Sequence, residues 1–502
     1  MDRTETFTRA SFISAAGLSA TALAAGVAAT SALGVEPAAS KDAVEQISDA
    51  DVIIVGAGLA GLTAGLRAIE LGCTPLIIDK MPEGLGGNSA LAGGTFSVPM
   101  TQDEQGYQGY VDAYAAIAEG RNDTTLLRTQ AERAQTAIDW LVGYGCDFPS
   151  ESVQEKPFDV NHYVVNPGSF RGMGPLMETL LGSYLDAGGT ALFETKMLDL
   201  VRDDTSGIIN GVLVRDASGI RTLHAGAVLI ATGGYCGNDE MLERWIGENA
   251  DDFTVRGHRY LTGDGISAAN RMGAMLKTMA GMQSIHVAAV SPDNIAFGNP
   301  GTAVPYCVAI NAAGKRFVDE SRGYQHHGKA VIDQPEAWDA LIFDQAELND
   351  PECATIGEKL SSFEANGIPY VVADSLDELA EKIGVDATAL KVTLDEYNGA
   401  IIDGAASNLE VPKAELAYPV ATAPFYAFAP LKPGCTLTFG GIYVDEKAQA
   451  LEADGTPIPG LYAAGEATGG FFAIDYIAGG ALTRAVVFGL IAAESMVKFI
   501  GK

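Results

Sequence analysis

Asp51-Val-Ile-Ile-Val-Gly-Ala-Gly-Leu-Ala-Gly61 decides the fold. Four consecutive apolar residues, Val52 to Val55, fit a buried parallel strand, and glycines at 56, 58 and 61 follow with no spacer. Each glycine has its own physical task. Gly56 permits the tight turn out of the strand, Gly58 lets the backbone approach a pyrophosphate, and Gly61 lets the next helix lie close to the strand. Leu59 and Ala60 open that helix, whose N-terminal N–H groups face the phosphates. Leu62, Leu66 and Ile69 mark its inner face, and Gly72 ends it. Leu76-Ile77-Ile78 forms the second strand. Asp79, followed by Lys80, stands at its end, about 20 residues beyond the glycines, where an acid binds a ribose hydroxyl. Strand, glycine turn, helix, strand and acid in that order predict a Rossmann-like dinucleotide-binding unit.

Three further glycine-bearing segments follow: Gly86-Gly87-Asn88-Ser89 with Gly93-Gly94; Val228-Leu-Ile-Ala231-Thr232-Gly233-Gly234, a strand running into glycines; and Gly460-Leu-Tyr-Ala-Ala-Gly465-Glu466. Thr262-Gly-Asp264-Gly265, Gly314-Lys-Arg-Phe-Val-Asp-Glu320, Glu396-Tyr397-Asn398 and Gly479-Gly480-Ala481-Leu482 before Val487-Phe488-Gly489 complete the pattern. From about residue 50 to the C-terminus the chain resembles the FAD-dependent oxidoreductase 2 family, the fumarate reductase/succinate dehydrogenase flavoprotein-like group that includes enoate reductases and 3-ketosteroid dehydrogenases. The resemblance implies FAD as cofactor, with Glu466 at the ribityl chain and Ala481-Leu482 at the pyrimidine edge of the flavin. It also implies an α/β fold, a Rossmann-like FAD-binding domain interrupted by an α+β substrate-capping domain. The expected organisation is an export signal and linker over 1–45, the FAD-binding domain over 46–282 and 437–502, and the cap over 283–436. The polar 335–415 stretch, with a helix opened by Asp374-Ser375, fits a separate unit.

Fumarate-reductase relatives carry an arginine proton donor past the GKRFVDE-like string and a second arginine clamping a carboxylate before the C-terminal Gly-Gly. Those positions fall here on Tyr324 and Tyr476, and a family histidine falls on Leu437. The pair resembles 3-ketosteroid dehydrogenases, in which one tyrosine moves the proton alpha to a ketone and the other binds the ketone oxygen beside a glycine amide. A carboxylate favours a charged bidentate fork, whereas a ketone becoming an enolate favours neutral donors aimed at its oxygen. The expected mechanism has the Tyr476 hydroxyl and the Gly480 N–H polarising the carbonyl, flavin N5 exchanging hydride with the beta carbon, and Tyr324 exchanging a proton with the alpha carbon. Arg322, two residues from Tyr324, keeps open an enoate reductase acting on an unsaturated carboxylate. His286 matches a family histidine at the site's mouth. A non-catalytic secreted flavin electron carrier is the alternative of another class.

Composition sets the remaining bounds. At 502 residues the chain exceeds a single core, and its 47% hydrophobic and 19% charged residues are those of a globular protein. A formal charge of −32 repels nucleic acid phosphates. Six scattered cysteines offer no CxxC spacing for a zinc site, cluster or c-type haem, so no metal is expected. With no second GxGxxG for a nicotinamide, electrons are expected from a separate cytochrome or membrane quinol system. Arg3 and Arg9 ahead of the small apolar run Ile13 to Leu33 form a targeting segment that resembles a twin-arginine signal lacking one arginine; a retained membrane anchor is the other reading. Cell fractionation is expected to recover the protein outside the cytoplasm, and recovery in the cytosol contradicts the export reading.

Overall fold

A computed structural model of the chain describes residues 50–148, 153–155, 160–165, 172–284, 287–289 and 297–502; the export segment over 1–45 and His286 lie outside them. Along the chain come strand β1 (Val52–Val55), helix α1 (Leu59–Glu70), strand β2 (Pro75–Ile78) and helix α2 (Gly87–Leu91). Strands β3 (Thr190–Leu192), β4 (Ala227–Ile230) and β5 (Thr254–Val255) precede helix α3 (Asp264–Arg271). Strand β6 (Val308–Asn311), helix α4 (Tyr324–Ile332), and strands β7 (Asp339–Asp344), β8 (Phe425–Lys432) and β9 (Gly434–Cys435) follow. Strands β10 (Gln449–Leu451) and β11 (Pro457–Ala463) and helix α5 (Gly480–Phe499) close the chain.

The first sheet has the order β10-β11-β4-β1-β2-β3, parallel except at the β10 edge. Its central strand β1 is wholly buried, as an apolar run covered on both faces must be. In register, Val55 pairs with Ile78 on β2 and with Ile230 on β4. All three strands therefore end level, which sets Gly56, Asp79 and Ala231 side by side at the carboxyl edge where open α/β sheets bind ligands.

Helix α1 sits as the glycine spacing requires. Gly56 adopts φ +113°, and a Cβ there would strike the carbonyl of Ala231. A Cβ on Gly61 would fall inside the contact distance of the Gly56 carbonyl oxygen, so α1 reaches this close to the turn only without that atom. Leu62 and Leu66 are buried on its inner face, while Ile69 is half-buried. Helix α5 crosses α1 at Gly489, where a Cβ would lie 2.8 Å from the Ala60 carbonyl oxygen. It is long and apolar enough by composition to cross a membrane, and here it is a core helix, 78% buried.

The second sheet is antiparallel: β8 pairs with β7, with Ala288–Ala289 and with Val371–Ala373, and β7 pairs with β6. One face packs Leu341, Phe343 and Phe428 against Phe363; the other packs Ile342 and Ala427 against Leu390, Leu394 and Tyr397. The family-like strings serve this unit structurally. Arg316 and Glu320 form an ion pair at 2.6 Å, at 5% and 0% exposure, with the guanidinium 5.1 Å from the Tyr397 ring. Ser375 caps the helix Leu376–Ile383 by accepting from Glu378 N–H. Where the chain enters and leaves this sheet the two crossings are bonded together: Gln283 N–H donates to Leu437 O at 2.8 Å, and Thr436 N–H to Gln283 O at 3.2 Å. Both sheets belong to one compact unit, Ala50–Lys502. All six cysteines are buried and unbridged.

Gly61→Ala is expected to lower stability by at least about 2 kcal/mol, since the added methyl meets backbone rather than a movable side chain. Thermal unfolding of the apoprotein measures this, and an unchanged melting temperature contradicts the packing.

Candidate functional site

The carboxyl edge of the first sheet opens into a groove of about 90 Å³. Gly56, Gly58, Leu59, Ala60, Asp79, Lys80, Gly87, Asn88, Ser89, Ala231, Thr232, Gly233, Asp264, Gly465 and Glu466 all line it. Gly61 does not, because it is spent on helix packing behind the turn. The Asp79 side chain, 8% exposed, accepts from Ala57 N–H at 2.7 Å and from Met81 N–H at 2.8 Å. Burial pushes its carboxyl up, and the two amides pull it back. Lys80 reaches across the groove to Asp264 and Thr262, each at 2.6 Å. Burial raises the Asp264 carboxyl, but the Lys80 bond and charge, with Lys196, hold it below the usual carboxylate range.

A second cavity of about 400 Å³ joins the groove through Asn88, Ser89, Glu466 and Ala485, which line both. Gly93, Gly94, Ala481 and Leu482 belong to it. Glu466 is anchored at the junction: it accepts from Asn88 Nδ2 at 2.9 Å and from Thr438 N–H at 3.1 Å, and burial raises its carboxyl. Tyr476, 8% exposed, lines the wall between Phe439 and Phe472, whose ring centroids lie 6.3 and 5.1 Å from its own. Its hydroxyl oxygen accepts from Ala481 N–H at 3.4 Å, and burial pushes the phenol up to about 12. It therefore stays protonated near neutrality as a hydrogen-bond donor.

Two expectations need correction. Gly480 N–H donates to Ile477 O at 3.1 Å, and the residue is packed against the Tyr114 ring and hydroxyl instead of lining the cavity. As N1 of α5, Gly480 has its amide taken by the turn that starts the helix, so the amide beside the Tyr476 hydroxyl is that of Ala481, one residue on. Tyr324 opens α4 and packs half-buried against the second sheet's core, and Arg322 is exposed; neither is part of the cavity wall. The helical register sets this: His327, three residues past Tyr324, is fully buried and bonds Asp339 at 2.7 Å, fixing the roll of α4. His327 is thus a structural partner of a carboxylate. Leu437 does line the cavity, where the family histidine was expected to be replaced.

Sequence reasoning missed two arginines. Arg256 lines the cavity beside Gln283 and Leu437, and burial pushes its guanidinium down to about 10. No motif marks it; the two-residue pairing of β5 with β9 puts it there. Arg484, one turn into α5, is fully buried, with its guanidinium carbon 5.2 and 4.9 Å from the Phe471 and Phe472 ring centroids. One of its nitrogens, Nη1, donates to Thr468 O at 3.1 Å.

The groove fits a dinucleotide on its own geometry. At Gly58, φ −75° is ordinary extended backbone and a built Cβ meets no protein atom nearer than Ser89 Oγ at 3.6 Å, so the missing side chain leaves room in the groove for something outside the fold. The N-terminus of α1 faces the same room. The family model described as FAD binding domain matches residues 51–482. The chain belongs to this FAD-binding family. Its cofactor is FAD, and it is a flavin oxidoreductase. The fumarate reductase (cytochrome) of Shewanella frigidimarina is 27% identical over 461 residues, covering 90% of this chain and 78% of that protein. The 3-oxosteroid 1-dehydrogenase of Mycolicibacterium smegmatis is 27% identical over 563 residues, covering 88% of this chain and 96% of that protein. The open conformation of a flavocytochrome c3 fumarate reductase shares the fold with a TM-score of 0.73 and 24% identity, over 92% of this chain and 82% of that one.

Gly58→Ala in this FAD-binding chain is expected to leave the apoprotein's melting temperature within about 2 °C of wild type, because the built methyl meets no clash. FAD titration is expected to show at least roughly tenfold weaker binding; equal FAD affinity contradicts the pyrophosphate site.

Proposed function

We propose that this flavoprotein moves hydride between FAD and a carbon–carbon bond conjugated to a carbonyl group of a small molecule bound in the cavity of about 400 Å³. The observation that carries the reading is Tyr476, a protonated phenol on the wall of a cavity continuous with the dinucleotide groove. The names of the relatives fit the same chemistry: fumarate is an unsaturated carboxylate, and 1-dehydrogenation of a 3-oxosteroid introduces a double bond beside a ketone.

Gly56, Gly58 and the first turn of α1 would hold the pyrophosphate, Asp79 the adenosine ribose, and Asn88 with Glu466 the chain leading into the cavity. Ala481 and Leu482, on the cavity wall, would meet the ring system. Bound FAD supplies or accepts the hydride. Ala481 N–H fixes the Tyr476 oxygen from behind, which leaves the phenolic proton to donate to the carbonyl oxygen of the substrate. Charge that builds on that oxygen during hydride transfer is met by a preorganised donor in a largely apolar enclosure. The ketone preference expected from two facing tyrosines loses one of its supports, since Tyr324 packs into the second sheet's core. Electrons reach the flavin from a separate protein of cytochrome or membrane quinol type, met outside the cytoplasm.

FAD-loaded protein reduced through dithionite-reduced viologen is expected to be reoxidised by conjugated enones or enoates and not by their saturated analogues. Tyr476→Phe is expected to lower that rate roughly 10² to 10⁴-fold with FAD content unchanged. A rate equal to wild type removes Tyr476 from the chemistry.

A further inference from the structure

Arg484 is a buried charge that the proposed chemistry leaves without a task. It stands one turn into α5, beside Ala481, Leu482 and Ala485, which line the cavity of about 400 Å³, yet its own side chain is fully buried behind that wall. Its place there is set from two sides. Nη1 donates to Thr468 O at 3.1 Å, and the Phe471 and Phe472 rings flank the guanidinium, with centroids 5.2 and 4.9 Å from its carbon. Phe472 in turn meets the Tyr476 ring edge to face, at 5.1 Å and 67°. One aromatic ring therefore separates the fixed cation from the phenol on the cavity wall.

Burying a guanidinium is costly unless negative charge meets it. Among the described residues Nε and Nη2 have no hydrogen-bond partner, and Nη1 is bonded to a neutral carbonyl. Burial lowers the group to about 10, which leaves it cationic at neutral pH. The titratable groups that act on it are Glu466, Tyr476 and Tyr114. Glu466 accepts from Asn88 and from Thr438 N–H, and the Tyr114 hydroxyl is bonded to Ser97 Oγ at 2.7 Å. Tyr476 is the group of the three that serves the reaction. Burial pushes its phenol up to about 12, while the Ala481 N–H and the Arg484 charge draw it the other way. A cation set in a low-dielectric wall acts across a neighbouring ring with little screening.

We infer that Arg484 is a positioning residue that touches no substrate: fixed behind Phe472, it acts through Tyr476 to stabilise negative charge on the substrate oxygen that Tyr476 binds. Hydride arriving at the beta carbon sends the electron pair of the double bond toward the carbonyl carbon, whose own pair moves onto oxygen. In the opposite direction, loss of the alpha proton charges the same oxygen. Either way the fixed cation favours the reacting state over the neutral ground state. This rests on the proposed role of Tyr476 in hydride transfer and deepens it with a residue outside the cavity wall.

Binding of an oxygen anion tests the inference without turnover. 4-Nitrophenol, whose ionised oxygen imitates the charged oxygen of the reacting substrate, is titrated into oxidised FAD-loaded protein across pH, and its own phenolate absorbance reports the ionised fraction; 4-nitroanisole is the neutral match. Wild type is expected to bind the phenolate at least roughly tenfold more tightly than the anisole. Arg484→Met is expected to lose that preference while keeping the affinity for the anisole and the FAD content, and Arg484→Lys to retain part of it. Where Arg484→Met melts below wild type, Arg484→Gln, which keeps a donor for Thr468 O without the charge, carries the same comparison. In a Tyr476→Phe background the charge is expected to matter less, as coupling through the phenol requires. Equal binding of phenolate and anisole by wild type, an unaltered preference in the neutral variants, or an effect of Arg484→Met undiminished by Tyr476→Phe overturns the inference. Loss of the anisole or of FAD from Arg484→Met and Arg484→Gln alike also overturns it, by making the side chain a brace for the wall. The wider reading fails separately, if the phenolate is held through Arg484 yet neither cinnamate nor 4-phenylbut-3-en-2-one reoxidises the reduced protein.

Discussion

The architecture depends on a contact that leaves no room for a methyl group: the backbone of α1 at Gly61 against the carbonyl of Gly56 at the end of β1. That approach points the first turn of α1 into the groove and brings its N–H groups to bear on phosphate. The level ends of β1, β2 and β4 then place Asp79 and Ala231 beside the same turn. On its other side α1 is held by α5, so the helix that receives the pyrophosphate also positions Ala481 and Leu482 at the cavity. One steric requirement near the N-terminal end of the fold thereby couples the cofactor groove to a segment some 420 residues later.

The cavity is assembled from segments that meet only in three dimensions. Asn88 and Ser89 come from α2, Arg256 from the end of β5, Gln283 and Leu437 from the paired crossings, and Tyr476 from the approach to α5. Arg256 and Glu466 line the cavity, while Arg484 is buried on α5 outside its lining; burial lowers both guanidiniums and raises the Glu466 carboxyl.

Much of the cofactor site was legible because its requirements are local. A glycine is demanded where a Cβ would collide, an acid ends the second strand, and both effects act within about thirty residues. The residues expected to hold the cofactor all line the groove or the cavity except Gly61, which acts behind it. What was not legible depends on rotation and on distant pairing. Tyr324 turns away because His327 on the next turn is committed to Asp339. Gly480 gives its amide to Ile477 because it starts a helix, so the amide bonded to the Tyr476 hydroxyl is that of Ala481. Arg256 has no motif around it; a partner strand nearly 180 residues away sets its place. No periodicity in a single sequence records such a pairing.

The most direct measurement is the crystal structure of the FAD-loaded protein at a resolution that orients the flavin ring. The account requires the pyrophosphate at Gly58 and the ring inside the second cavity, with Ala481 and Leu482 along one edge and the Tyr476 hydroxyl facing the space above it. A ring seated outside that cavity, with Tyr476 beyond reach of anything bound against it, contradicts the account.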